Sequence, residues 1–126
     1  MKQIFSLLIF LLSYKCYAQT DHDLIIGKWL KTPKEDLIIE VYKLADEYKG
    51  KITWSKDSAN LVGFLILEGL KYNEGKKIWS GGKVRNPKSN SSYSANAKIR
   101  SDGRLEVLAY KGMKFIGKKK YFKRVE

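Results

Sequence analysis

The sequence predicts an all-β protein: a small antiparallel up-and-down β-barrel of about eight strands, preceded by an N-terminal signal peptide. Apolar residues recur with a period of two from residue 24 onward, which is typical of strands with one buried face. The connections are short and turn-like, and no segment has the helical periodicity that would link parallel strands. We expect the sheet to close because closure removes exposed edges; a sandwich of two sheets is the alternative that the pattern leaves open.

The first residues have the organisation of a cleavable secretion signal. Lys2 supplies a positive start, residues 4–12 are apolar apart from one serine, and the small residues Cys16 and Ala18 precede the cleavage point. The apolar run of about nine residues is too short for a membrane span, which needs roughly twenty. We therefore expect residues 1–18 to be removed and the protein to be exported, to the periplasm or out of the cell, without a stable membrane span.

Cleavage after Ala18 leaves residues 19–126 as one β-barrel domain. It also removes Cys16, the only cysteine of the chain. The mature protein then has no disulfide, although an oxidising compartment would allow one. A lipoprotein signal acylated at Cys16 is the alternative, but Tyr14 and Lys15 stand where such signals carry small residues.

The strands are predicted one after another along the mature chain, separated by turn signals. They are expected at residues 24–31, 37–43, 48–54, 61–70, 76–86, 93–100, 104–110 and 118–125. The third strand should carry one inward face, formed by Tyr48, Gly50, Ile52 and Trp54. Gly81 and Gly82 predict a bend or bulge within the fifth strand, because they lack a Cβ. Asp102 and Gly103 predict a tight hairpin, since this pair tolerates positive φ.

The chain is strongly basic, with 25 lysines and arginines against 13 acidic residues and a formal net charge of +12. The cations are scattered from Lys28 to Lys123 rather than clustered. This distribution indicates solvated strand faces, with attraction to anionic envelope polymers or lipid head groups as the functional alternative. Basic, aromatic-rich chains often bind nucleic acid, but export argues against that partner here.

The residue inventory argues against catalysis, metal binding and cofactors. His22 is the only histidine and the mature chain has no cysteine, so the usual transition-metal ligand sets and nucleophile–base pairs are absent from the sequence. Most carboxylates fall in predicted turns. Glu40 and Glu68 do not, and they are the residues on which a carboxylate-based hydrolase would have to depend. We expect a protein that is not an enzyme.

Three residues resemble the signature of the calycins, which include lipocalins, fatty-acid-binding proteins and avidins. Gly27 and Trp29 form a Gly-x-Trp motif in the first strand, and Arg124 lies in the last. The resemblance implies that Trp29 plugs one end of the barrel while the cation of Arg124 lies over its ring, a contact worth about 0.5–2 kcal/mol. The alternative is simply a core tryptophan and a surface arginine.

A wider pattern resembles the bacterial domain-of-unknown-function 2147 family. It comprises Gly27-x-Trp29, Gly50-x-Ile52-x-Trp54, Ile66-Leu67-x-Gly69-Leu70, Trp79-x-Gly81-Gly82, Asn86-Pro87, Tyr93, Tyr110-x-Gly112, Gly117 and Arg124. The resemblance implies a small exported protein with a lipocalin-like, calycin-type barrel and no established activity. Several polar family positions are altered in this chain: Arg85, Asn86, Asn90, Ser91, Leu108 and Ala109. If those positions form a family site, its chemistry is changed or lost here.

Two functional hypotheses follow from a closed barrel. The first is the binding of a small apolar or amphipathic ligand inside it, because the inward face of the sixth strand carries the small residues Ala95 and Ala97. The candidate ligand-binding residues are Tyr42, Trp54, Trp79, Tyr93 and Tyr110. Side chains that simply fill the interior are the structural alternative. The second hypothesis is a cationic interaction protein that binds anionic envelope polymers or a protein partner.

Overall fold

The computed structural model describes residues 21–112 and 117–126. A short 3-10 helix at Asp21–Ile25 precedes the first strand, and a second one lies at Ala59–Leu61. The strands are β1 (Gly27–Thr32), β2 (Leu37–Leu44), β3 (Glu47–Ser55), β4 (Leu65–Asn73), β5 (Ile78–Arg85), β6 (Ser92–Ile99), β7 (Leu105–Tyr110) and β8 (Lys118–Arg124). The signal predicted at residues 1–18 lies outside the described residues. Within the described part, no helix is long and apolar enough to cross a membrane.

The eight strands form a closed barrel, which confirms the predicted fold class and excludes the sandwich. Each strand pairs antiparallel with the next, and β8 returns to pair antiparallel with β1. The closing ladder sets Trp29 opposite Arg124 and Lys31 opposite Phe122. Closure therefore brings the first and last strands into contact and leaves no free sheet edge among the described strands.

The start of the first strand was predicted too early. Residues 21–25 form a 3-10 helix, and the strand begins only at Gly27. Gly27 has a φ of +141°, a conformation open to glycine and rarely to other residues, so the chain turns there. This turn sends the fully buried Ile25 into the core at the end of the barrel instead of along its wall.

Two of the register irregularities of the described sheet bear on which predicted side chains face inward. At Gly81, with a φ of +74°, the β5–β6 register shifts between Trp79 and Gly82, as the glycine pair predicted. A second shift lies between Ile38 and Ile39, where β2 pairs with Ile52 and Trp54 of β3. The prediction that Trp54 shares the inner face with Ile52 is therefore wrong. Because the bulge adds one residue, Trp54 lies on the outer wall and is 42% exposed.

Several large buried side chains lie at the end of the barrel that holds the first 3-10 helix. Residues of this end include Ile25, Trp29, Tyr48, Leu70 and Trp79, all buried. The turns after β2, β4 and β6 lie at the same end as the 3-10 helix, whose His22 and Asp23 contact Glu74 and Lys43. Among the described residues, the connections after β1, β3 and β5 lie at the opposite end.

Candidate functional site

The 3-10 helix at residues 21–25 plugs one end of the barrel. Three buried aromatic side chains of the wall donate hydrogen bonds to it, and in this way the plug is attached to three different strands. Trp29 Nε1 donates to the carbonyl of Ile25 at 2.9 Å, and Trp79 Nε1 donates to the carbonyl of His22 at 2.9 Å. The hydroxyl of Tyr48 donates to Asp23 Oδ1 at 2.8 Å. Burial, and then the bond to Asp23, raise the pKa of Tyr48 well above its usual range.

Arg124 locks this plug to the last strand. Its guanidinium carbon lies 4.2 Å from the centroid of the Trp29 ring, within the range of a cation–π contact. Its two terminal nitrogens donate to the carbonyls of Leu24 and Ile26, on either side of the end of the helix. Partial burial lowers the pKa of Arg124, which still leaves it charged at any physiological pH.

Gly27 is the residue that permits this arrangement. A Cβ at this position would lie 2.5 Å from the carbonyl oxygen of Glu126 and 2.6 Å from Arg124 Nη1. The structure therefore explains the Gly-x-Trp motif. The glycine leaves room for the arginine and the C-terminal backbone, and the tryptophan supplies the ring beneath the cation.

The other end of the barrel holds an open cavity of about 610 Å³. Every strand except β3 contributes to its lining. The apolar part of the lining is Leu37, Ile39, Ile66, Leu67, Val84, Val107, Ala109 and Phe122. Ile39, Leu67, Val107 and Phe122 are buried and form the floor, which separates the cavity from the plugged end. The volume lies in the range of protein sites for single small molecules, about 300–1,000 Å³.

Cationic side chains surround the mouth of this cavity. They are Lys31, Arg85, Lys88, Lys111, Lys118 and Lys120, and no aspartate or glutamate is among the described residues of the lining. Glu68 contacts Arg85 at 3.4 Å but does not itself line the cavity. The site therefore combines an apolar floor with a positively charged entrance.

The strand alternation of β8 explains how lysines come to face a barrel interior. Phe122 is buried in the core, so Lys118 and Lys120 share its inward side. Tyr121, in contrast, points outward, where the guanidinium carbon of Arg104 lies 5.0 Å from the centroid of its ring. The scattered cations of the chain as a whole were predicted to lie on solvated strand faces. The alternation with Phe122 was the signal that could have identified Lys118 and Lys120 as inward-facing.

Lys31 extends the inward cluster from the neighbouring strand β1. It follows Trp29 on the inner face and is half-buried. Burial is the main cause that lowers its pKa; the charges of Lys120, Lys34 and Lys88 lower it further, whereas Asp36 opposes them. An anion bound beside Lys31 would act in the opposite direction and raise its pKa.

The structure brings together two of the five predicted ligand-binding residues. Tyr93 and Tyr110 line the cavity, and the ammonium of Lys111 lies 4.8 Å from the Tyr93 ring centroid. Trp79 is buried at the plugged end, where its hydrogen bond to His22 gives it a structural role. The assignment of Trp79 to the binding cavity is therefore corrected.

Tyr42 and Trp54 lie on the outside of the barrel, again in contrast to the prediction. Tyr42 follows the inward-facing Val41, so it faces outward. There the ammonium nitrogen of Lys51 lies 5.6 Å from the centroid of its ring. Trp54 was moved outward by the bulge in the β2–β3 ladder. There it joins Leu30 and Ile38 in a shallow apolar patch on the outer wall.

The carboxylates singled out for a hydrolase also face outward. Glu40 lies between the inward-facing Ile39 and Val41, and Glu68 follows the inward-facing Leu67. Neither carboxylate lines the cavity.

Three of the six positions that the family resemblance leads us to expect as altered fall on this cavity. Arg85, Asn86 and Ala109 are part of its lining. The side chain of Asn86 also orders the turn after β5, because its Oδ1 accepts a hydrogen bond from the backbone of Lys88 at 2.9 Å. The other three of those positions, Asn90, Ser91 and Leu108, do not line the cavity.

Comparisons with known proteins agree with this architecture. A family model described as "Uncharacterized protein conserved in bacteria (DUF2147)" matches residues 27–124. A solved structure with a similar fold is that of protein HP1028 from Helicobacter pylori, described as belonging to the lipocalin family. The two chains are 18% identical, the match covers 81% of this chain and 83% of that one, and the TM-score is 0.65. No curated protein matches the sequence.

Proposed function

The chain belongs to the DUF2147 family of uncharacterised bacterial proteins and has a lipocalin-like barrel, and on this premise we propose that it binds a small amphipathic molecule in the open end of the barrel. The observation that carries the proposal is the cavity of about 610 Å³ between an apolar floor and a polar mouth. Eight-stranded barrels either fill their interior with side chains or hold one small ligand, and this barrel does the first at one end and leaves space at the other.

The distribution of packing supports a binding role. The large aromatic side chains Trp29, Tyr48 and Trp79 fill the plugged half. The small side chain of Ala109 stands in the open half, on the cavity wall. A ligand entering there would bury apolar surface on the floor, which stabilises it by about 25 cal/mol per Å².

We also propose that the protein acts after export and without catalysis. The signal predicted at residues 1–18 supports the first statement. The outward position of Glu40 and Glu68, away from the cavity, supports the second. The role proposed is therefore that of a binding protein outside the cytoplasm.

Filling the cavity should abolish binding. The mature protein is titrated with N-phenyl-1-naphthylamine, an uncharged dye whose fluorescence rises in apolar sites. We expect saturable binding at one dye per barrel, and at least tenfold weaker binding by Ala109→Phe, because the phenyl ring takes up part of the cavity that Ala109 lines. Val84→Phe fills the same cavity from β5 and serves as a second variant should the first fold poorly.

The matched control is Leu108→Phe. Leu108 neighbours Ala109 on β7 but does not line the cavity, so the same ring introduced there should leave dye affinity within about twofold. Circular dichroism establishes that each variant is folded. Absence of saturable dye binding, or an equal loss in the Ala109 and Leu108 variants, would show that the cavity is not a binding site.

A further inference from the structure

Three inward-facing lysines converge at the mouth of the cavity. Lys31 lies on β1, and Lys118 and Lys120 lie on β8, the strand that pairs with β1. Among the described residues, none of the three is within ion-pair distance of a carboxylate, although many outward lysines are: Lys28, Lys43, Lys71, Lys98 and Lys123 all have acidic partners. Several lysines of the outer wall, such as Lys49, Lys83 and Lys119, have no such partner either, so the feature that distinguishes the inward cluster is its place in a cavity whose described lining contains no carboxylate.

Such a cluster is unfavourable in the empty protein. Like charges repel, and partial burial adds a desolvation cost, both of which act on Lys31. Lys118 and Lys120 remain exposed, as Lys119 does on the outer face, so the desolvation cost falls on Lys31 and the disadvantage that the three share is their mutual repulsion. Their inward position becomes favourable when an anion lies among them, because each then gains a charge-assisted interaction at a site partly shielded from solvent.

We propose that the ligand of this cavity is an amphiphile with one anionic head group, held by Lys31, Lys118 and Lys120, whose apolar chain packs on Ile39 and Phe122. The proposal rests on the proposed function and specifies its ligand class. The apolar floor lies directly below the lysines in the same cavity, so one molecule can satisfy both. The charged head group would then lie at the mouth, near solvent, and the apolar chain would lie toward the core.

Lysine side chains select a negatively charged head group but not one particular anion. An ammonium is a compact point charge with rotatable donors, and it accepts a carboxylate or a phosphate without the fixed planar geometry of arginine. The shared feature is therefore a single anionic head on an apolar chain. A fatty-acid carboxylate and a phosphate-bearing lipid fragment are the two sources, and they can be separated by experiment.

The test is displacement of N-phenyl-1-naphthylamine by four ten-carbon amphiphiles below their micelle concentrations: decanoate, decyl phosphate, decanol and decyltrimethylammonium. We expect one or both anions to bind at least tenfold more tightly than decanol at low salt, with the cation weakest. The ratio of decanoate to decyl phosphate affinity identifies the head group. Added salt should reduce the preference for anions, since the mouth is open to solvent.

The variant that tests the residues replaces all three inward lysines: Lys31→Gln, Lys118→Gln and Lys120→Gln. We expect the anions to lose at least tenfold in affinity while the affinity for dye and decanol stays within about twofold. Binding of the dye with equal affinity for anions and decanol would overturn this inference and leave the proposed function intact. Failure of the dye to bind at all would overturn the proposed function first.

The matched control removes the same charge from the outer wall, with Lys49→Gln, Lys83→Gln and Lys119→Gln. These residues stand beside inward-facing neighbours and point outward. We expect the control to retain the preference for anions. An equal loss in both triple variants would assign the effect to overall charge, and retention on heparin that depends on the outward lysines, without an anion preference in the cavity, would favour a polymeric partner; either result overturns the inference.

Discussion

Replacing Trp29 by alanine should lower the free energy of unfolding by about 3–5 kcal/mol, the cost typical of removing a large buried aromatic side chain. Trp29 is fully buried, donates a hydrogen bond to Ile25 and carries the guanidinium of Arg124 over its ring. Its loss leaves a void beneath the plug and removes the surface on which the cation lies. Since domains of this size have about 5–15 kcal/mol of stability in total, a large part of it should disappear. Urea unfolding followed by circular dichroism measures the change.

The matched control is Trp54→Ala, which removes the same side chain from the outer wall. Trp54 is 42% exposed, so less apolar surface returns to water and no cavity forms in the core. We expect a cost of about 1 kcal/mol. Equal losses for the two tryptophans would contradict the central packing role given to Trp29.

Arg124→Met should cost about 2 kcal/mol, the second largest effect we expect on stability. The substitution keeps an unbranched apolar stem but removes the cation–π contact with Trp29 and the hydrogen bonds to Leu24 and Ile26. The guanidinium is partly exposed, so water can replace some of the lost hydrogen bonds. The expected loss of stability is therefore smaller than the sum of the separate contacts. Amide hydrogen exchange should become faster at residues 21–26, because Arg124 attaches the plug to β8.

Two variants separate the geometry of Arg124 from its charge. Arg124→Lys keeps the charge, yet an ammonium lacks the planar fork that reaches two carbonyls at once, so most of the loss should remain. Lys123→Met removes the adjacent cation, whose ion pair with Glu35 at 2.9 Å is about half exposed on both sides, and should cost less than about 1 kcal/mol. A Lys123 variant as unstable as the Arg124 variant would contradict the locking role.

The barrel was predictable because its signals are local. Period-two alternation identified the strands, and the Asp102-Gly103 pair identified the hairpin between β6 and β7, whose turn lies at residues 100–104. The glycine pair at residues 81 and 82 identified a bulge. The plug was missed because Leu24, Ile25 and Ile26 continue the apolar pattern of β1. The strand nevertheless begins only after them, at Gly27, where the positive φ turns the chain.

The binding cavity was predictable only in part, because it depends on register and on contacts between distant strands. Tyr93 was placed inside by simple alternation along β6, and it lines the cavity. Trp54 was misplaced because a bulge without a glycine signal reverses the alternation near the end of β3. The lysine cluster was missed because Lys31 and Lys120 are far apart in sequence, and barrel closure alone brings them together.

The central claim is that the barrel, plugged at one end, binds an anionic amphiphile at its open end. The most direct test is a crystal structure of the protein grown with decanoate. We expect electron density for one ligand in the open half of the barrel, with its chain against Ile39 and Phe122 and its carboxylate within ion-pair distance of Lys31 or Lys120. Density only on the outer patch at Trp54, a reversed ligand with its carboxylate on the apolar floor, or an open half occupied by the protein's own side chains would contradict it.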